Sequence, residues 1–186
     1  DYLDEALKQC GQEIEARMQP FEAAVERLCT IPGVSYKTAQ MILAEIGWDM
    51  SRFPSHKHLA AWAGLAPGNH ESAGKRHSGK TRKGSRWLRA ALTEAAQAAG
   101  HTKTYLGTLY HRLAARRGAK RAAIAVAHAI LIIVYRLLSD QTTYRDLGVN
   151  CFDLRQREQV SRRLLKRLEK LGYKVSLELS TADSAA

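Results

Sequence analysis

A run of basic residues between Lys75 and Arg89 is the segment of this sequence best suited to chemistry. Like charges at this density repel one another unless an anion lies among them. Interleaved glycines leave the backbone open to close approach, which suits a phosphodiester better than it suits packing. The run therefore predicts contacts with nucleic-acid phosphates, and a basic face that only meets solvent is the alternative. Its 15 residues contain no acid and seven cations: Lys75, Arg76, Lys80, Arg82, Lys83, Arg86 and Arg89.

Three serines in or beside this run, Ser72, Ser78 and Ser85, bring hydroxyl groups that could act as nucleophiles. Ser85 precedes a run with helical apolar periodicity, so it is predicted to cap a helix rather than to react. Ser72 is followed by the small residues Ala73 and Gly74, which leave its hydroxyl accessible. The neighbouring cations could stabilise charge that develops on a phosphoryl group under attack. From composition alone, however, an ordinary loop hydroxyl is the stronger interpretation of Ser72.

A second candidate site lies in residues 28–47, LCTIPGVSYKTAQMILAEIG, which resemble a helix-hairpin-helix. In that motif the turn, here at Gly33, exposes backbone N–H groups that hold a DNA phosphate without reading sequence. Lys37 and Thr38 fall in the first turn of the second helix and could add side-chain contacts. Ser35 replaces the usual second glycine and cannot adopt positive φ as cheaply. A purely structural helical hairpin is therefore the alternative.

Three further sets of residues receive simpler interpretations. Four histidines lie close together in the sequence: His56, His58, His70 and His77. No metal site is predicted for them, because they lack a matching set of Cys or acidic residues. Core packing is predicted over base stacking for the tryptophans, which are Trp48, Trp62 and Trp87. A second basic cluster either extends the nucleic-acid track or is a solvated helix end, and it comprises Arg112, Arg116, Arg117, Lys120 and Arg121.

The elements that position these groups are predicted to be helices. Pro20 is expected to interrupt the first helix, and residues 122–138 are expected to form a buried core helix, since they are too short and too polar to span a bilayer. The residues from Ala66 to Gly84 break any helical period and predict a long functional loop. Helix starts and ends are predicted at Ser35 and Gly47, Ser55 and Gly64, Ser85 and Gly100, and at an Asp153–Gln156 capping box and Gly172.

The first helix carries an apolar stripe, which consists of Leu3, Leu7, Cys10, Ile14 and Met18. The stripe predicts either packing against the domain or the remnant of a coiled coil.

The fold class expected from these patterns is all-α: a multi-helix domain with a helix-hairpin-helix-like element, a long basic glycine-rich loop and an N-terminal coiled-coil remnant.

Composition narrows the partners and the compartment. The net charge of +11 over 186 residues favours a polyanion such as nucleic acid. Stable membrane binding would need an apolar-faced amphipathic helix or a lipid anchor, neither of which is evident, so no membrane partner is expected. The three cysteines are odd in number and far apart, which fits neither a disulfide framework nor a zinc site and favours the reducing cytoplasm.

Two stretches of the chain resemble one family of transposases. They are IPGVSYKTAQMILAEIGWDMSRFPSHKHLAAWAGLAPGNHESAGK and TRKGSRWLRAALTEAA. In their order of motifs, residues 28–99 look like the family named after insertion sequences 110, 116 and 902. Its members resemble one another in having a RuvC-like domain with four acidic residues, a coiled-coil connector and a C-terminal transposase domain. The resemblance implies a connector end over residues 1–25, a helical transposase domain over 26–172 and a tail over 173–186.

The same resemblance implies a catalytic role for Ser72. The family carries its catalytic serine in a loop written Ser-Gly-Gly-Lys, which matches Ser72-Ala73-Gly74-Lys75 with Ala73 in place of the first glycine. The serine is expected to form a phosphoseryl ester with DNA, so that strands are exchanged without ATP. A divalent metal ion, Mg²⁺, is expected in the acidic domain and no cofactor in this chain, which is therefore expected to be inactive alone.

The partners implied by the resemblance are DNA, a structured guide RNA, the RuvC-like domain of the same protein and further copies in a homo-oligomer. The predicted function is thus the DNA-binding and catalytic-serine portion of a transposase that moves an insertion sequence. Two alternatives stay open: a non-catalytic helix-hairpin-helix DNA-binding module, and a helical RNA-binding or assembly domain.

Overall fold

The computed structural model describes residues 1–68 and 70–176, without the side chains of His70, Arg76 and His77. The chain forms two compact units, Asp1–Val149 and a second unit that begins at Asn150. The predicted helical fold is confirmed over most of the described residues, which also contain one two-stranded hairpin. Most of the tail expected after residue 172 lies outside the described residues, and the predicted domain boundaries stay predictions.

The first unit contains seven of the described helices and the hairpin. Its elements are α1 (Tyr2–Met18), α2 (Glu22–Cys29), α3 (Tyr36–Ile46), α4 (His56–Trp62), β1 (His70–Ser72), β2 (Lys75–Ser78), α5 (Arg86–Gly100), α6 (Tyr105–Arg117) and α7 (Ala119–Asp140). Single 3₁₀ turns lie at Gln19–Phe21 and Met50–Arg52. The described part of the second unit contains α8 (Cys151–Arg155) and α9 (Arg157–Lys170).

Helix α7 is the centre of the core of the first unit. By length and composition alone it could cross a bilayer, so the expectation that this segment is too short and too polar to do so is wrong. It packs, however, against α2, α4, α5 and α6. Val126, Ile130, Leu131 and Val134 on α7 are fully buried. This burial confirms the predicted core helix. Burial of such apolar side chains is a main source of folding free energy.

Local capping explains where several helices begin. The Ser35 and Ser85 hydroxyls accept the backbone N–H groups of Thr38 and Leu88, each at 3.2 Å, as predicted for N-caps. Ser55 also occupies an N-cap position, but its hydroxyl instead pairs with the His58 ring, at 2.9 Å. Pro20 lies in the 3₁₀ turn that separates α1 from α2, so its predicted interruption of the first helix is confirmed.

The predicted capping box at Asp153 is wrong. Asp153 lies inside α8, which starts two residues earlier with Asn150 as its N-cap. The helix then breaks at Gln156, whose φ of −120° is not helical, and α9 follows. The acidic residue and the glutamine have the spacing of a capping box, but the chain becomes helical before it reaches them.

The apolar stripe of α1 is exposed over most of its length. Leu3, Leu7 and Ile14 are exposed, and no residue of α1 is buried. Only Met18, at the end of the stripe, packs against the core. Packing of the whole stripe against the domain is therefore wrong, whereas the coiled-coil interpretation stays a prediction.

Close backbone contact fixes the basic run to the helical body. Gly84 lies directly against the backbone of Ala63 and Gly64, so that a Cβ on Gly84 would clash with both. A Cβ on Gly64 would in turn lie 2.7 Å from the Arg82 carbonyl oxygen. These two glycines let the chain that follows the hairpin lie flat on the end of α4.

Replacing Gly84 with Ala is expected to lower the free energy of unfolding by about 1–3 kcal/mol, because the added methyl group must push two backbone segments apart. The matched control is Gly11→Ala in exposed helix α1, where a Cβ meets no atom within 4 Å and the change should stabilise by about 0.5–1 kcal/mol. Urea unfolding of both variants gives the comparison. Equal midpoints for Gly84→Ala and the wild type would contradict this packing.

Candidate nucleic-acid interface

Ser72 lies beside the turn of the β-hairpin. It pairs with Lys75 across the two-residue turn Ala73-Gly74, whose φ angles are 50° and 72°. Positive φ at both central residues is typical of a type I′ turn, which matches the twist of the flanking strands. The long loop predicted from residue 66 to 84 is therefore wrong over residues 70–78, where the chain forms paired strands.

The tip of the hairpin is open to a large ligand. Residues 71–75 are all exposed, and a Cβ on Gly74 would meet no atom of the described residues within 4 Å. Lys75 is the cross-strand partner of Ser72, so their Cβ atoms are about 5 Å apart. The flexible Lys75 ammonium can thus reach a phosphate that contacts the Ser72 hydroxyl.

Ala73 is not one of the residues that favour the first central position of this turn. Its φ of 50° is sterically unfavourable for an alanine. Ala73→Asn, which creates the favoured Asn-Gly pair, is expected to stabilise the hairpin by about 1 kcal/mol. Ala73→Val should destabilise it, since a branched side chain fits positive φ worse. Amide hydrogen exchange over residues 70–78 measures both effects, and equal exchange in the two variants would contradict the turn geometry.

The cations of the basic run are presented to solvent. Lys75, Lys80, Arg82, Lys83 and Arg86 are exposed and Arg89 is half-buried, whereas the side chain of Arg76 lies outside the described residues. None of these six described cations forms an ion pair with a described acid. The positive charge of the run is therefore uncompensated over the described residues, which suits a polyanionic ligand.

A groove of about 1010 Å³ joins this run to the second basic cluster. It is lined by residues that follow α4, by the end of β2 and the residues after it, and by α5, α6 and α7. Of the second cluster, Arg117, Lys120 and Arg121 line the groove, whereas Arg112 and Arg116 do not. The cations that line it are Lys80, Arg89, Arg117, Lys120 and Arg121.

The groove also has apolar lining residues. Leu65, Leu113, Ile124 and Ala125 line it together with His128. Burial lowers the pKa of His128 below its ordinary value of 6.5, and the nearby His56 lowers it further. The ring is therefore neutral at pH 7, so it adds no charge to the apolar surface.

Part of the helix-hairpin-helix-like element is buried by contacts within the protein. Gly33, with φ of 87°, lies against α5, and a Cβ on it would come within 2.6 Å of the Ala99 nitrogen. Thr38 is only 8% exposed and its hydroxyl pairs with Ser35 at 2.8 Å. The placement of Gly33 and Thr38 favours the structural-hairpin alternative. Ser35 and Lys37 are exposed, and DNA contact at this turn stays a prediction.

The predicted burial of the tryptophans is wrong. Trp48, Trp62 and Trp87 are 59%, 47% and 58% exposed, although Trp62 still contacts Phe53. The guanidinium group of Arg86 lies 4.5 Å from the centre of the Trp87 ring, in a cation–π contact at the start of α5. Sequence periodicity placed these residues beside apolar helix faces, but an adjacent position on a helix lies 100° away and can face solvent.

Comparisons with known proteins place this chain among the transposase families. Residues 25–111 match the family described as Transposase IS116/IS110/IS902. The chain is 35% identical to the transposase for insertion sequence element IS1111A of Coxiella burnetii over 147 residues, which are 76% of this chain and 40% of that protein. The chain belongs to the IS116/IS110/IS902 transposase family, as the resemblance implied.

Two other relatives cover shorter segments. An uncharacterised protein of insertion element IS110 from Streptomyces coelicolor is 33% identical over 119 residues, 63% of this chain and 29% of that protein. A pilin gene-inverting protein of Moraxella bovis is 46% identical over 67 residues, 35% of this chain and 20% of that protein. The chain thus spans two fifths or less of the length of these relatives.

Proposed function

We propose that this chain carries the serine nucleophile and the phosphate-binding cations of an insertion-sequence transposase. The observation that carries the proposal is the position of Ser72 at an exposed type I′ hairpin, next to Lys75 and a run of uncompensated cations. The family and the names of the relatives support DNA as the substrate, since transposition and gene inversion both rearrange DNA.

The proposed reaction is a transesterification. The Ser72 Oγ attacks the phosphorus of a DNA phosphodiester and loses its proton, and the bond from phosphorus to the leaving deoxyribose oxygen breaks. That oxygen takes up a proton, which leaves a phosphoseryl ester whose energy is close to that of the original bond. A new deoxyribose hydroxyl then attacks the ester and releases Ser72, so no ATP is needed. The cations stabilise the charge on the phosphoryl oxygens during both steps.

Membership of the family implies a divalent metal ion, Mg²⁺. Among the described residues, no three His, Cys, Asp or Glu side chains come together as a metal site. We propose that the ion is held by the acidic RuvC-like domain, and no step above is routed through it. A structured guide RNA and further copies of the protein are proposed partners on the same grounds of family membership.

Trapping of a covalent adduct tests the proposal. The full-length protein is incubated with guide RNA, Mg²⁺ and end-labelled target DNA, and the products are separated under denaturing conditions. Labelled DNA is expected to migrate with the wild-type protein and not with Ser72→Ala. An adduct that persists in Ser72→Ala would overturn the assignment and make Ser78 the next candidate.

A further inference from the structure

We propose that the groove between the basic run and helices α6 and α7 binds unpaired nucleotides of a nucleic-acid strand. The inference rests on the proposed DNA function of the chain and adds which form of nucleic acid the groove accepts. It draws on a surface beyond the hairpin, because all five cations in the groove follow β2 in the chain. Lys80 lies in the segment between β2 and α5, and the other four lie on α5, α6 and α7.

The groove combines two kinds of surface that a nucleotide needs. Lys80, Arg117 and Lys120 are exposed cations, and none of the described residues that line the groove is acidic. These three cations can therefore donate hydrogen bonds to phosphate oxygens without competition from an acidic lining residue. Leu113 and Ile124, which are half-buried, add apolar surface to the same groove. A phosphodiester backbone offers no matching apolar surface, whereas the face of a base does.

The dimensions of the groove favour an unpaired strand over a duplex. Its volume of about 1010 Å³ is at the upper end of pockets that enclose one drug-sized ligand, and is far smaller than a turn of duplex. In a duplex the base faces are stacked inside and only edges and phosphates reach the protein. The apolar surface would then stay uncovered, so a base that has left the stack fits the groove better.

The groove also lies close to the proposed nucleophile along the hairpin. Ser78, at the end of β2, lines the groove, and Lys75, three residues earlier, pairs with Ser72. At about 3.3 Å for each residue of strand, the groove edge and Ser72 are roughly 10 Å apart along the hairpin. A strand held in the groove can therefore continue to Ser72, which places unpaired nucleotides beside the phosphate that is cut.

Ala125 offers a test that leaves the fold intact, because it lines the groove, is exposed and lies within α7. Ala125→Glu brings a carboxylate into the groove, and Ala125→Gln has nearly the same size without the charge. Ala115→Glu, at an exposed position of α6 that does not line the groove, controls for the change in net charge. The probe is a short single-stranded oligodeoxynucleotide that contains 2-aminopurine, and duplex and RNA forms of the same sequence are compared.

Ala125→Glu is expected to weaken single-strand binding by about tenfold or more relative to Ala115→Glu, and Ala125→Gln by much less. The wild type should change the fluorescence of 2-aminopurine in single strands of DNA and RNA, and Ala125→Glu should lose that change. Equal affinities of the two Glu variants, or an equal loss for duplex, would overturn the proposal. Saturation of the groove by a free mononucleotide would overturn its assignment to a strand. Since none of these measurements needs catalysis, their failure is distinct from a failure of the Ser72 mechanism.

Discussion

Ser72→Ala in the full-length protein is expected to abolish DNA strand exchange, with a loss on the order of 10⁴-fold or more. Removal of a nucleophile that forms the covalent intermediate leaves only the contributions of binding and charge stabilisation. The hydroxyl of Ser72 has no hydrogen bond to a described group, so its loss disturbs no contact that holds the hairpin. Strand exchange is measured as the yield of recombinant product with guide RNA, donor DNA and target DNA present.

Two controls separate chemistry from structure in this experiment. Ser139→Ala removes an exposed serine near the end of α7, away from the hairpin and the groove, and should leave the yield unchanged. DNA binding by Ser72→Ala should stay close to that of the wild type, because the cations are intact. A Ser72→Ala protein that still recombines DNA would support the alternative of a non-catalytic DNA-binding module.

Replacement of Lys80, Arg82 and Lys83 together with Ala is expected to weaken DNA binding by roughly 10- to 100-fold at moderate salt. All three side chains are exposed, so the loss of charge should not unfold the protein. The dependence of log affinity on log salt concentration should also fall by roughly 0.9 for each phosphate contact that is lost. Fluorescence anisotropy with labelled DNA across a salt series measures both quantities.

A second triple variant shows whether position matters beyond net charge. Lys8, Arg17 and Lys57 are exposed cations outside the basic run and the groove, and their replacement with Ala lowers the net charge by the same three units. This variant should bind DNA almost as well as the wild type, with an unchanged salt slope. If both triple variants lost affinity equally, the basic run would act only through long-range attraction and not as a binding site.

Sequence reasoning succeeded where a local signal decides the structure. The Ser35 and Ser85 caps, the break at Pro20 and the core helix α7 all follow from residue types within one or two helical turns. Membership of the transposase family was likewise visible in the order of short motifs and is supported by the comparisons. These features depend on neighbours in the chain, which the sequence displays directly.

The features that sequence reasoning missed depend on tertiary contacts or on an atypical local signal. The hairpin at Ser72 has polar strands without apolar alternation, and its turn uses an alanine where glycine or asparagine would have indicated positive φ. The contact of Gly33 with α5 joins segments more than sixty residues apart. The groove brings together the region after α4, the basic run and α7, which no periodicity could have placed side by side.

Identification of the residue that becomes linked to DNA tests directly whether Ser72 is the nucleophile. The trapped adduct is treated with nuclease and protease, and the peptides are sequenced by mass spectrometry for a nucleotide remnant. The remnant is expected on the Ser72 Oγ, in the peptide that contains the hairpin. A remnant on any other residue, or an efficient recombination reaction that forms no covalent adduct, would contradict this expectation.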